Sequence, residues 1–260
     1  MLTIICFMFI AGVNYSLYQQ CLRKRFDRLY NDSEFRAYCY IVGVASLLIL
    51  FGISGQVYSD MNGIERRYDF EESVRNAIFQ VVSIHTTTGF SNVSSENWPL
   101  YTQIILTGCM FVGGCGGSTG GGLKVIRIIS LFRLMALDIE KAYRPHVVRP
   151  LVIGGKIVGH AKKQGLLIYL LMVLSLAFFG SLALAALEGS STSDWVTIWT
   201  ASLACINNIG PGFGGVGVVH HYNHFTDSSK LLLSFLMATG RLEVFTVVVL
   251  FMPRFWRRHG

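Results

Sequence analysis

The sequence is short of charge. Only 14% of its 260 residues are Asp, Glu, Lys or Arg, against about a quarter in an ordinary soluble domain. Hydrophobic residues make up 52%, and the mean hydropathy is +0.48, which excludes a conventional water-soluble globule. The six cysteines, Cys6, Cys21, Cys39, Cys109, Cys115 and Cys205, show no CxxC spacing. Most lie in apolar runs, where cysteine acts as a small hydrophobe, so no metal or disulfide framework is read from them. In the glycine run between Phe111 and Lys124 no GK[ST] follows and no set of glycines satisfies GxGxxG, which argues against a phosphate-cradling loop there. No carboxylate–histidine constellation is legible, and no enzyme activity is expected. The apolar N-terminus lacks a basic n-region and a small-residue cleavage site, and reads as a membrane helix rather than a signal peptide. The net charge of +7 sits in short clusters between apolar stretches and not on one face, so it suits a membrane surface and no nucleic acid.

What is present is a series of apolar stretches. A spanning helix needs roughly 20 such residues, because lipid offers no partner for backbone N–H and C=O groups. Residues 1–22, 37–57, 99–137, 164–187 and 229–252 qualify, the third broken by glycines. Two stretches, 74–84 and 194–206, are too short to span and read as re-entrant helices. Of the 22 Lys and Arg, 17 fall in 23–36, 124–163 and 254–258, a bias expected of cytoplasmic loops. Nine acidic residues, including Glu96 and Glu188, fall in segments placed outside, giving an outer face that would concentrate cations.

The order of elements repeats. Span, connector, short helix, polar glycine-bearing turn and span run over 37–137 and again over 164–252, while 1–22 stands alone like the closing helix of an earlier repeat. The first turn contains His85, Thr86, Thr87, Thr88, Gly89 and Phe90. Its threonines offer carbonyl and hydroxyl oxygens, and Gly89 permits backbone closed to other residues, as an ion filter requires. A Thr-rich outer loop is the alternative. The second turn aligns Gly210 with Gly89 and sets Asn207, Asn208 and Ile209 at the threonine positions. His85 is a candidate proton-sensitive neighbour of the first turn. His220, His221 and His224 lack further ligand groups nearby, which argues against a metal site.

Between Phe111 and Lys124 runs Gly113, Gly114, Cys115, Gly116, Gly117, Ser118, Thr119, Gly120, Gly121 and Gly122. Seven glycines in ten residues unwind a helix. In a pore-lining helix below the turns, such a stretch reads as a gate across the path, with close packing through small residues as the alternative. Arg241 lies inside the last span, where charge is expensive and faces a cavity or a partner. A fixed cation there would repel passing cations, and its guanidinium could bond carbonyls freed by the loop. Glu243 is a candidate compensating charge.

Through GGCGGSTGGGLKVIRI (113–128), TTTGF (86–90), NNIGPGF (207–213) and GRLEVFT (240–246), essentially the whole chain resembles the C-terminal half of the TrkH family of Trk-type bacterial potassium uptake proteins. The resemblance implies an all-α membrane protein of two helix–re-entrant pore helix–helix repeats, part of a pseudo-fourfold potassium-channel-like pore, plus one preceding span. It implies that 1–22 ends a preceding repeat, 23–36 is a cytoplasmic loop, and 37–137 is the third repeat, with filter 86–90 and intramembrane loop 113–122. It further implies a basic cytoplasmic linker at 138–163, a fourth repeat at 164–252 with filter 207–212, and a cytoplasmic tail at 253–260. Potassium would be the bound ion, held by oxygens of Thr87, Thr88, Asn208 and Ile209, with Arg241 beside the gate loop. Also implied are the bacterial inner membrane, a cytoplasmic C-terminus, a homodimer in membrane lipid, and a cytosolic nucleotide-binding TrkA-like regulatory subunit. Proton coupling stays open. Half of the ring would be missing, so a partner supplying the N-terminal half of the pore is expected. A nonfunctional truncated product and a membrane nucleotide-binding sensor or enzyme are the alternatives.

Overall fold

The computed structural model describes residues 1–59, 65–144, 150–153, 156–157, 159–189, 194–242, 244–250 and 252–256. Glu243 lies outside them. The helices are α1 (Leu2–Ala11), α2 (Tyr15–Leu22), α3 (Asp27–Asn31), α4 (Ser33–Ile53), α5 (Phe70–His85), α6 (Leu100–Phe111) and α7 (Val125–Tyr143). They continue as α8 (His160–Glu188), α9 (Trp195–Ile206), α10 (Asp227–Arg241), α11 (Val244–Leu250) and α12 (Pro253–Trp256). Two antiparallel ribbons, β1 (Val57–Ser59) with β2 (Glu65–Arg67) and β3 (Val152–Ile153) with β4 (Lys156–Ile157), decorate the connections. The protein is a helical membrane protein, and the ribbons are small additions that the sequence pattern does not announce.

Long helix, short helix and broken helix occur twice. In the first set α4 packs on α5 and α6; in the second α8 packs on α9 and α10; contacts of α6 with α9 and α7 with α8 join the sets. α4 starts where Asp32 caps it, its carboxylate accepting from the Phe35 N–H at 2.7 Å, which satisfies one of the orphan amides of a helix start. One buried cluster includes Tyr38, Ile49, Val82, Leu106 and Met110, and a second includes Ala177, Leu184, Leu233 and Leu236. Leu47, Leu48 and Phe51 on α4, and Leu171, Phe178, Phe179 and Leu182 on α8, point outward and are exposed. Such outward apolar stripes suit a lipid solvent.

Among the described residues two helices, α4 and the 26-residue segment Lys163–Glu188 of α8, are long and apolar enough to cross a membrane unbroken. Residues 1–22, expected as one span, instead form α1 and α2, bent by 100° to each other. Gly12 ends α1, and Asn14 opens α2 by accepting from the Ser16 N–H at 2.8 Å. The reason for the tight bend is lateral: a Cβ on Gly12 would press on the Tyr38 hydroxyl and the Thr86 methyl. The last span is also interrupted, α10 ending at Arg241 and α11 starting at Val244.

The approach of α10 to α9 depends on Gly240, where a Cβ would overlap the backbone carbonyl of Ile206. Gly43 and Gly108, both in helices, have open space around them. Gly240→Ala is expected to destabilise the protein by about 1–3 kcal/mol or more, since a carbonyl cannot rotate away as a side chain can. Gly43→Ala and Gly108→Ala should be neutral or gain up to about 1 kcal/mol. Thermal unfolding midpoints of the detergent-solubilised variants check the order.

Candidate functional site

α5 and α9 end in the same way. The Thr87 N–H donates to Ile84 O (3.0 Å) and the Thr88 N–H to Ser83 O (2.9 Å); in the second set the Asn208 N–H donates to Cys205 O (3.1 Å) and the Ile209 N–H to Ala204 O (2.9 Å). These crossed bonds are a Schellman motif, whose key residue must be left-handed. Thr87 (φ 55°) and Asn208 (φ 56°) are left-handed, and two residues on so are Gly89 (φ 75°) and Gly210 (φ 105°). Asparagine tolerates this position, whereas for β-branched threonine it is a strained exception. The two turns touch: a Cβ on Gly89 would overlap the carbonyl oxygen of Ile209.

Side chains of the turns are engaged within the protein. Thr86 Oγ1 donates to Val82 O at 2.7 Å and lies 2.8 Å from Thr88 Oγ1, while Thr87 Oγ1 accepts from the Gly121 N–H at 2.7 Å. Asn207 Nδ2 donates to Leu203 O at 3.0 Å and Asn208 Nδ2 to Met237 O at 3.2 Å. Ile209 is buried. Each of these hydroxyl and amide groups has a partner inside the protein. His85 is fully buried, its ring stacked on Tyr38 with centroids 5.3 Å apart.

The glycine segment leaves α6 and returns beside itself, with Gly113 N–H to Leu123 O at 2.8 Å and Leu123 N–H to Phe111 O at 3.1 Å. It lies against both turns. A Cβ on Gly121 would overlap Asn207 O, and one on Gly120 would press on Thr86 O. It also completes the break between α1 and α2: the Cys115 N–H donates to Gly12 O (2.9 Å), Thr119 Oγ1 to Ala11 O (3.2 Å), and the Tyr15 N–H to Gly117 O (3.3 Å). Gly114 packs on Gly12, Gly116 on Glu34, and Gly117 on Asn14. The Ser118 hydroxyl returns to Cys115 O at 2.7 Å, and Gly122 packs near the Asn207 amide.

Two cations and one anion hold the segment. Arg241 Nη1 donates to Thr119 O at 3.0 Å, and Lys124 Nζ donates to Gly120 O. Both line a polar cavity of about 250 Å³ with Ser118, Thr119, the glycines 120–122, Tyr169 and Gly240. Buried Glu34 accepts from the Gly116 N–H (2.6 Å) and the Ile126 N–H (3.0 Å) through one oxygen. Among the described residues no group of three His, Cys, Asp or Glu is placed to hold a metal ion.

A cation transport protein family, TrkH, matches residues 1–258 of the chain. The chain belongs to the TrkH family. A TrkH potassium uptake protein of the Trk system of Halomonas elongata is 34% identical over 253 residues, and that of Escherichia coli K12 33% over 256. The alignments cover 97% and 96% of this chain, which spans about half the length of these relatives, 49% of each. A crystal structure of the potassium transporter TrkH from Vibrio parahaemolyticus superposes with a TM-score of 0.85 at 29% identity, over 97% of this chain and 52% of that one.

Within this family frame, the sequence directs attention to the residues the fold gathers: both turns, 113–122 and Arg241 form one contiguous assembly. Glu34 is the residue it passes over. The hydropathy pattern starts the span at 37 and leaves Glu34 in the basic loop, although an acidic residue at the lip of an apolar run is a helix-start signal. Outside the spans, Glu96 packs on Gly217 and so links the outer connections of the two repeats. Burial raises the Glu96 carboxyl above its ordinary range, and nearby His220 opposes that shift.

The two turn glycines are not equally placed: Gly89 is packed on Ile209, whereas Gly210 has open space. Gly210→Ala is expected to cost only left-handed strain, about 1–2 kcal/mol. Gly89→Ala adds steric overlap with a backbone carbonyl and should cost roughly 1–3 kcal/mol more. Unfolding midpoints of the two variants, compared with the parent, decide this; equal losses would refute the packing of one turn on the other.

Proposed function

We propose that the chain is a potassium-translocating part of a Trk-type uptake system, providing two of four filter turns and the gate beneath them. The observation that carries it is the paired termination of α5 and α9. Each short helix ends in the same motif at adjacent turns, so two helix C-termini, each equivalent to about half a negative charge, meet where the turns meet. Alternating handed residues turn successive carbonyls toward one side, and a ring of such oxygens replaces the water shell of a monovalent cation. Side chains that stay engaged elsewhere leave the carbonyls of 86–89 and 207–209 as the ion's ligands, while Gly210 O already accepts from the Tyr222 hydroxyl at 2.6 Å.

The segment 113–122 serves as the gate. Arg241 lies on the side of the segment lined by Lys124 and Tyr169, where a fixed positive charge opposes passage of cations, and its bond to Thr119 keeps the segment across the path. The basic residues of 23–36 and 124–163 face the cytoplasm of a bacterial inner membrane, with the C-terminus on the same side. That face suits docking of a nucleotide-binding ring of the TrkA kind, and the transporter acts as a homodimer. A closed fourfold filter requires two further turns from outside these 260 residues.

Potassium-uptake-deficient bacteria should grow at low potassium when this chain is expressed with the N-terminal half of a TrkH relative, and not with the chain alone. Correct insertion of both pieces without rescue would sink the proposal. In the rescued pair, Arg241→Ala removes a charged hydrogen bond of about 1.5–3 kcal/mol. It should raise the initial rate of rubidium uptake severalfold.

A further inference from the structure

Glu34 is the one carboxylate among the described buried residues, 7% exposed at the first turn of α4. Its Oε1 accepts from Gly116, in the first half of the glycine segment, and from Ile126, in the first turn of α7. The two donors therefore bracket the stretch that touches Thr87 through Gly121 and Arg241 through Thr119. α7 has no side-chain cap of its own, its N-cap being Lys124. A helix start without a cap leaves orphan amides and a partial positive charge, and a carboxylate answers both. Here the carboxylate comes from a residue 92 positions away in the chain.

We propose that Glu34 is a positioning residue, a latch that fixes both ends of the glycine segment in its closed arrangement and ties the gate to the cytoplasmic end of α4. Bonds from N–H groups to an ionised carboxylate are roughly twice as strong as neutral ones. The segment itself has almost no side chains with which to anchor itself. Glu34 follows directly on Asp32 and Ser33, at the end of the basic loop 23–36, so a displacement of that loop reaches the gate through one side chain. The latch presupposes the gate function proposed for 113–122, but it can be tested without transport.

Cys115, next to Gly116, is a free thiol with 0% exposure; Cys109 on α6 and Cys205 on α9 are buried free thiols away from the segment. The full chain in membranes is treated with a maleimide, and each cysteine is followed by peptide mass spectrometry. Glu34→Ala is expected to speed labelling of Cys115 by about tenfold or more, with Cys109 and Cys205 unchanged, because only local opening is eased. Glu34→Gln keeps an acceptor oxygen in place and should stay within about threefold of the parent. Glu34→Asp keeps the charge but withdraws the acceptor by one methylene; it gives an intermediate rise and carries the test if the alanine variant does not accumulate. Continued protection of Cys115 in Glu34→Ala, equal labelling in the Ala and Gln variants, or joint exposure of all three buried thiols would overturn the latch. If the latch holds while the paired halves fail to take up potassium, the gate function falls and the anchoring by Glu34 stands.

Discussion

At membrane depth a backbone amide or carbonyl has no water to turn to, and an unmet one costs several kcal/mol. Two of the described stretches that leave helical geometry between apolar helices are the bend at 12–14 and the segment 112–124. Neither is self-sufficient. Gly12 O and Ala11 O, freed by the bend, are met by Cys115 and Thr119, and Gly117 O is met by the Tyr15 amide. Each irregularity is the other's solvent, so the 100° bend of the first helix pair and the unwound segment form one structure. The close approach needs glycine on both sides: a Cβ on Gly114 would press on Gly12 O, and one on Gly12 would press on Thr86.

The same economy of backbone groups explains how the turns above are held. A Schellman motif closes the C-terminal carbonyls of α5 and α9 with the very amides that begin the turns. The amides of Thr87, Thr88, Asn208 and Ile209 are thereby consumed, and of the turn carbonyls Gly210 O accepts from the Tyr222 hydroxyl at 2.6 Å. The two copies differ where their sequences differ. Asn208 adopts the left-handed position cheaply and spends its side chain on Met237 O in α10. Thr87 holds the same conformation at greater strain, and its hydroxyl is tied to Gly121. A residue kept in a sparsely populated conformation persists only where its surroundings over-determine it, and at Thr87 those surroundings include the glycine segment.

Much of this was legible from residue order alone. Hydropathy separates five long apolar runs from two short ones, and α8 and α9 match their stretches closely because each is bounded by polar residues. The glycine run announces its own loss of helix, and the matched placement of Gly89 and Gly210 foretells the duplicate turns. The bend at 12–14 was not legible: a single glycine in an apolar run is tolerated by most membrane helices, and the groups that force this one, Tyr38 and Thr86, arrive from far along the chain. Glu34 was hidden for a related reason, since its partners lie 82 and 92 residues away and are backbone amides, which have no sequence signature. Composition shows that the threonines bring hydroxyl oxygens but not where they are bonded; within the fold Thr86 Oγ1 donates to Val82 O and Thr87 Oγ1 accepts from Gly121.

Seven of the ten residues 113–122 are glycine, so beyond buried Cys115 and the hydroxyls of Ser118 and Thr119 the segment's position is set by backbone bonds and by side chains reaching in from elsewhere. Those found are complementary in kind. Arg241 and Lys124 donate to its carbonyls at Thr119 and Gly120, Glu34 accepts from its amide at Gly116, and Thr87 accepts from its amide at Gly121. They come from the end of α10, from the segment's own C-terminal edge, from the start of α4 and from the end of α5. Glycine pays the largest entropy to be ordered, so these few bonds work against a strong tendency to disperse, and loss of one should shift the segment more than loss of a bond in a packed helix would. A structure intended only to fill space would use side chains for that purpose. Holding backbone by separated polar contacts, together with the bonds to 11–15, gives instead an element whose position depends on the mutual placement of several helices.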